Sequence, residues 1–418
     1  MNESGEISQA PICSESEDFL GFSNHASELA KLLPHMADGT VVAIFGDWGS
    51  GKTSYLRLLQ NALPRDHDVR WLDLWRYEKH ENMDFAIRRD IVRSCDSPSA
   101  AIRREFTLAS LNALSAVSIL LRAIEIKVPG APVSIKLDEK VEDFDRIQSS
   151  NEQLASAHFS EAEQGLKKLQ RTLATGKPKV LLFDDLDRVA PEVALNMLET
   201  IKLLLGTTKC RFVLALDSRT IREAVYSRYN GHGFRNADEL SKSYLDKLID
   251  VSLSVPDLDV GVAAEFIDRL LEGFPEGSEV SRDERRLILI GAPLNPRALK
   301  RLLMAWLFER RITARSPIMA ALKDFILKHC FGEIWRSVMT EPGLYGKLLS
   351  KSMKIPATVE ECANMRRSAP EEFEELMMDP GWSPTAREFF ERLLRNYPHL
   401  LCFIRLSPSC AFEVAGNE

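Results

Sequence analysis

The chain has 418 residues, 45% hydrophobic and 28% charged, the balance of a folded globular protein rather than a disordered or fibrous one. A formal net charge of -7 gives no overall attraction to nucleic acid or anionic lipid, and the length suffices for roughly two or three structural units. The cysteines (Cys13, Cys95, Cys210, Cys330, Cys362, Cys402 and Cys410) are scattered, odd in number and without a C-x-x-C pair, which argues against a disulfide framework or zinc site and suits a reducing cytoplasm.

Residues 1–18 are polar and acidic, with no basic segment leading into an apolar one, and are expected to form a disordered leader rather than a secretory signal. Residues 19–35 have helical spacing after a Leu20-Gly21-Phe22 turn. The apolar run Val41 to Phe45 then reads as a strand. It leads into Gly46-Asp47-Trp48-Gly49-Ser50-Gly51-Lys52-Thr53, a complete G-x-x-x-x-G-K-[ST] loop, and a helical pattern follows from Tyr55 to Leu63. Strand, glycine turn and helix are the context this motif needs. Glycines allow a tight turn that aims consecutive N–H groups at phosphate oxygens, and the helix N-terminus adds its partial positive charge. Residues Gly46 to Ser54 are therefore the candidate nucleotide-binding segment. Lys52 is placed to reach the β- and γ-phosphates, and the Thr53 hydroxyl to meet Mg²⁺. Trp48 is unusual in such a loop; it packs on the sheet, covers the phosphates or meets a partner.

Asp68 to Trp75 alternates like a strand, and Trp71, Trp75 and Tyr77 read as core. A helical insertion is expected over about 84–174, broken at Pro129 to Pro132. Its uncharged run, Phe106 to Leu121, falls short of the roughly 20 residues that cross a bilayer, so a buried or peripheral membrane-contacting helix is expected rather than a span.

A second buried strand, Lys179 to Phe183, ends in Asp184-Asp185-Leu186-Asp187-Arg188. A carboxylate there is suited to hold Mg²⁺, which is the role given to Asp184; Asp185 would orient or deprotonate an attacking water. Arg188 has two readings: it acts on phosphate charge, or it pairs with Asp185 or Asp187. After a helix from Pro191 to Leu205, the strand Arg211 to Leu216 ends in Asp217, either a phosphate-side carboxylate or the N-cap of a helix over Ser218 to Tyr226. Strands alternating with helices imply a parallel sheet covered on both faces, with ligands beyond the carboxyl ends of its strands.

From about residue 257 helices dominate. Arg297, after Pro296, begins the helix Ala298 to Phe308, where a lid would bring it over a nucleotide; otherwise it is a surface arginine. Arg285-Arg286, Lys300-Arg301 and Arg310-Arg311 read as solvated faces, with nucleic-acid contact as the alternative. The expected organisation is a leader over 1–18, a P-loop core over 19–256, a helical lid over 257–312 and a helical extension over 313–418.

G-D-W-G-S-G-K-T (Gly46 to Thr53), L-D-L-W-R-Y-E (Leu72 to Glu78), V-L-L-F-D-D-L-D-R (Val180 to Arg188), F-V-L-A-L-D (Phe212 to Asp217), Y-L-D-K-L-I-D-V (Tyr244 to Val251) and L-N-P-R-A-L-K-R (Leu294 to Arg301) together resemble the KAP family of P-loop NTPases, in the STAND/AAA+-like group. The resemblance implies an α/β three-layer sandwich with a parallel sheet. It implies ATP and Mg²⁺ as cofactors, ATP hydrolysis, Asp184 and Asp185 as the Walker B pair, and Arg297 as a second sensor. Many members carry transmembrane helices between the phosphate loop and Walker B, and bacterial members often look like components of mobile-element or phage-defence operons. The expected function is an ATP-driven switch or motor coupled to a protein partner, with self-association open. The alternatives are a nucleotide-gated scaffold that scarcely hydrolyses ATP and a nucleic-acid-dependent ATPase.

Overall fold

A computed structural model describes residues 11–77, 177–202, 210–229, 237–274, 277–313, 318–340, 397 and 399–405. The expected insertion, with its apolar run at Phe106 to Leu121, lies outside them. The chain divides into two units: one holds Gly21–Pro256 with Pro11–Glu15, the other Asp257 onward with Ser16–Leu20.

The first unit is built on five parallel strands: β1 (Val41–Phe45), β2 (Asp68–Asp73), β3 (Lys179–Asp184), β4 (Cys210–Leu216) and β5 (Val251–Ser254), in the order β2-β3-β4-β1-β5. β3 and β4 are buried along their whole length and β1 along all but its last residue. This matches their near-continuous Val, Leu, Ile and Phe runs. β2 and β5 are the edges, and both are more exposed.

Alternate side chains of the central strands serve two layers. Val41, Ala43, Leu181, Phe183, Phe212, Leu214 and Leu216 form one core with α3 (Pro191–Thr200), α4 (Ser218–Tyr229) and α5 (Ala237–Leu248). Val42, Ile44, Leu182, Val213 and Ala215 are equally buried on the other face, where α2 (Lys52–Ala62) lies on β3 and β4 with α1 (Phe22–Leu32) beside it. The three-layer α/β sandwich is thus present. A buried polar cluster ties three helices together: the Glu199 carboxylate of α3 accepts from Arg228 Nη1 of α4 at 2.8 Å and from the Tyr244 hydroxyl of α5.

The strand ends are in step. Phe45 pairs with Leu216, and Asp73 with Asp184. β1 therefore delivers Gly46, β4 delivers Asp217 and β3 delivers Asp184 and Asp185 at one rim of the sheet. β2 stops at Asp73, short of the expected Trp75, because Leu74–Tyr77 turns into one 3-10 helix. With about three residues per turn, Leu74 and Tyr77 share the inner side and Trp75 is turned outward, 50% exposed, contrary to its reading as core. Some of the leader also has a defined course. The Ile12 N–H donates to Ser54 Oγ at 3.2 Å, and Asn61 Nδ2 donates to the Cys13 carbonyl at 2.5 Å.

The second unit is helical: α6 (Val260–Glu272), α7 (Arg282–Gly291), α8 (Pro296–Thr313), α9 (Ile318–Cys330), α10 (Gly332–Thr340) and the short α11 (Leu400–Arg405). One core runs through all of them, from Ala263 and Phe266 through Trp306 to Phe331 and Phe403. The boundary expected at 312/313 therefore does not separate distinct cores; α8 and α9 pack on the same apolar cluster. α7 begins with a capping box, Ser281 and Glu284 exchanging side-chain and backbone bonds at 3.2 and 2.9 Å. α8 begins where Asn295 Oδ1 accepts the N–H groups of Arg297 and Ala298 at 3.1 and 3.2 Å. Among the described residues no helix is long and apolar enough to cross a membrane.

Candidate functional site

The loop between β1 and α2 owes its course to two glycines. Gly49 and Gly51 have φ of 85° and 103°, a region that side chains disfavour, and Ser50 N–H closes a turn on the Asp47 carbonyl at 3.1 Å. Gly51 also admits a neighbour: a Cβ there would lie 2.5 Å from Cε2 of Phe22, the buried first residue of α1. Phe22, the last residue of the expected entry, therefore supports the phosphate loop. Gly46 is equally confined, since a Cβ there would collide with Ser50 Oγ.

Lys52 is the first residue of α2 and is 7% exposed. Its ammonium donates to the carbonyls of Gly46 at 2.9 Å and Asp47 at 3.2 Å, and meets Asp187 Oδ2 at 2.9 Å, with both side chains almost wholly buried. Ser50 Oγ is buried with no hydrogen-bond partner. A buried hydroxyl left in this way beside a buried cation and a glycine-rich helix start suits an anion with several oxygens.

Across from the loop, Asp184 closes β3 at 4% exposure and accepts the Thr53 hydroxyl. Burial pushes its carboxyl above the usual range, and the bonds from Thr53 and the Asp185 N–H pull it partly back. A hydroxyl and a buried carboxylate at a strand end are a fitting donor set for Mg²⁺. Asp185 is the one non-glycine described residue with positive φ, 59°. Burial, reinforced by Asp184, pushes its carboxyl up to about 6, against the pull of Arg188. Arg188 Nε stands 2.7 Å from Asp185 Oδ1, yet that N–H is not aimed as a hydrogen bond, so charge holds the pair. The same guanidinium carbon lies 5.1 Å from the ring centre of Trp48 and 5.3 Å from that of Trp75; both indoles are about half exposed.

Asp217 takes the capping role. Its Oδ1 accepts the Arg219 N–H at 2.9 Å at the start of α4, and Arg219 Nη2 bridges Asp217 Oδ2 at 3.1 Å and Asp47 Oδ1 at 3.3 Å. Burial alone would raise the Asp217 carboxyl, but the bonds from Arg219 hold it below the usual range. Arg297 lies in the second unit, in the first turn of α8.

The rim therefore gathers Gly46 to Ser54, Asp184, Asp185 and Arg188, with Arg188 in the ion-paired of its two readings. Sequence reasoning missed the Asp187–Lys52 pair, the Phe22 support and the exposure of Trp75. It also missed Asp73, which closes β2 in register with Asp184; the sequence held no signal for it, because the expected strand ran on to Trp75 and which strand lies beside it could not be read.

A family model described as the KAP family P-loop domain matches residues 22–312. No curated protein matches the chain. Among solved structures, the Aeropyrum pernix ORC2 protein in ADPNP and ADP complexes is 14% identical, with 94% of this chain and 89% of that one covered and a TM-score of 0.38. The Aeropyrum pernix ORC1 protein in complex with DNA is also 14% identical, with 94% and 85% covered and a TM-score of 0.36. Such remote likeness carries no argument about activity. The motif-bearing rim and a match over most of the chain make it a member of the KAP family of P-loop NTPases.

Proposed function

We propose that the chain binds ATP with Mg²⁺ at the β1–α2 rim and hydrolyses it, as a switch coupled to a protein partner. The observation that carries this reading is the buried Lys52 ammonium at the start of α2, on the same rim as the Asp184–Thr53 pair and the orphaned Ser50 hydroxyl. Lys52 and the loop N–H groups would hold the phosphates, and Asp185 would orient or deprotonate the attacking water. Mg²⁺ at Thr53 and Asp184 would neutralise charge on the β- and γ-oxygens. Arg297 as a second sensor, the preference for adenine and a place in phage defence rest on the family resemblance alone, and a cytoplasmic setting rests on the cysteine pattern.

The scaffold alternative has one observation in its favour. Lys52 and Asp185, the groups hydrolysis needs, are each held in an ion pair by the neighbouring Asp187 and Arg188. The test is phosphate release from Mg²⁺-ATP by the wild type and by Lys52→Ala, with ATP affinity measured in parallel. Turnover that disappears in the variant supports the reading; undiminished turnover refutes it. Tight binding by a wild type without turnover selects the scaffold.

A further inference from the structure

The Lys52 ammonium donates to the carbonyls of Gly46 and Asp47, and its charge is met by the Asp187 carboxylate in an ion pair, with Oδ2 at 2.9 Å. An incoming phosphate competes with Asp187 for that buried charge. The two carbonyls belong to the loop backbone, whereas the Asp187 carboxylate is on a side chain and can leave by a rotamer change without moving the loop. Repulsion from Asp184 and Asp185, which both feel the charge of Asp187, offsets part of the Lys52 attraction.

Asp187 does not stand alone. It lies with Arg188 on the single turn Leu186–Arg188, anchored inward by the fully buried Leu186 and hinged on Asp185 in its left-handed conformation. A non-glycine residue held at positive φ is a strained point, of the kind found where a segment has two states. The neighbouring Arg188 is held by charge to Asp185 and lies between Trp48 and Trp75.

Resting on the nucleotide reading of the site, we propose that Asp187 is a built-in counter-ion that incoming phosphates displace from Lys52. Its displacement turns the Leu186–Arg188 segment and is read out at the Trp48–Arg188–Trp75 surface. Asp187 is then a positioning residue that lowers nucleotide affinity in exchange for a signal.

The experiment measures ATP and ADP affinity by calorimetry, and tryptophan emission on nucleotide addition, for the wild type, Asp187→Asn, Asp187→Ala and Asp187→Glu. Thermal melts identify the variants that fold cooperatively. The folded neutral variants should bind ATP about ten- to a hundredfold more tightly, the lower part of the range for coupling in a close charge pair, and Asp187→Glu should return toward wild-type affinity. Nucleotide should change the emission of the wild type but not of the neutral variants. Because the chain has six tryptophans, Trp75→Phe in the wild-type background must remove most of that change. Unaltered or weaker affinity in a cooperatively folded neutral variant overturns the proposal while leaving the nucleotide site standing. Equal emission changes in wild type and neutral variants also overturn it. Absence of binding by wild type and variants alike removes the nucleotide reading itself.

Discussion

Replacing Lys52 should do more than abolish nucleotide chemistry; it should also destabilise the nucleotide-free protein. Lys52→Ala leaves Asp187, whose side chain is 6% exposed, without its cation at 2.9 Å and beside Asp184 and Asp185. At an effective dielectric constant near 20 the gross attraction at that distance is about 6 kcal/mol. Desolvation opposes much of it, and breaking such a pair from one side costs about 3–5 kcal/mol. Asp187→Ala should cost less, about 2 kcal/mol, because the ammonium keeps two carbonyl acceptors. The double variant removes both charges, so its loss should fall about 2 kcal/mol short of the summed single effects. The assay is urea unfolding of all four proteins without nucleotide and with a chelator, since a bound ligand at a hundred times its Kd would itself add about 2.7 kcal/mol. Single effects that add to within about 0.5 kcal/mol would show that the pair does not couple and would refute the reasoning.

Gly51→Ala should lose nucleotide affinity and about 2–3 kcal/mol of stability, because φ of 103° is strained for alanine and the new methyl meets Phe22 at 2.5 Å; Phe22→Leu in the same chain should recover some of the stability in a thermal melt. Tyr244→Phe removes the hydroxyl that donates to Glu199 and should cost about 1 kcal/mol by urea unfolding, whereas Glu199→Leu, which takes one acceptor from both Arg228 and Tyr244, should cost more. Asp217 is a pH-dependent support. Its folded carboxyl is held below the ordinary value of 3.8, so its contribution is present above that value and is lost as pH falls through the lowered one. The stability gap between wild type and Asp217→Asn should accordingly be widest near neutrality and close in acid. A gap that widens in acid would contradict the Arg219 contacts.

The residues of the rim were legible because the motifs that carry them are local. The phosphate loop needs its glycines and lysine within a few residues, and the acids follow a wholly apolar strand, so Gly46 to Thr53 and Asp184-Asp185 stand out in the chain itself. Three strands could be read from apolar runs and β2 from its alternation, but β5 could not: Val251 to Ser254 is a four-residue edge strand whose alternation is too short to separate from a loop. Strand order was equally hidden, because the placing of β4 between β1 and β3 depends on burial of both faces and not on any motif. The partners of Asp187 and Arg188 differ although the residues are adjacent, one reaching Lys52 and the other Asp185. No spacing rule separates those outcomes; only the strand ends, once in step, decide them. The outward turn of Trp75 was missed because a tryptophan after an alternating run looks like core until the 3-10 turn assigns Leu74 and Tyr77 to the inside.

The long interval between β2 and β3 joins two strands that lie side by side, with β2 at the margin of the sheet. Because the strands run the same way, that stretch departs from the phosphate end, directly beyond Trp75 and Tyr77, and re-enters at the opposite end, before Lys179. The described chain past β2 thus ends only two residues after Trp75, whose ring centre lies 5.3 Å from the Arg188 guanidinium. Its end at Tyr77 belongs to the charged rim of the sheet rather than to the far one.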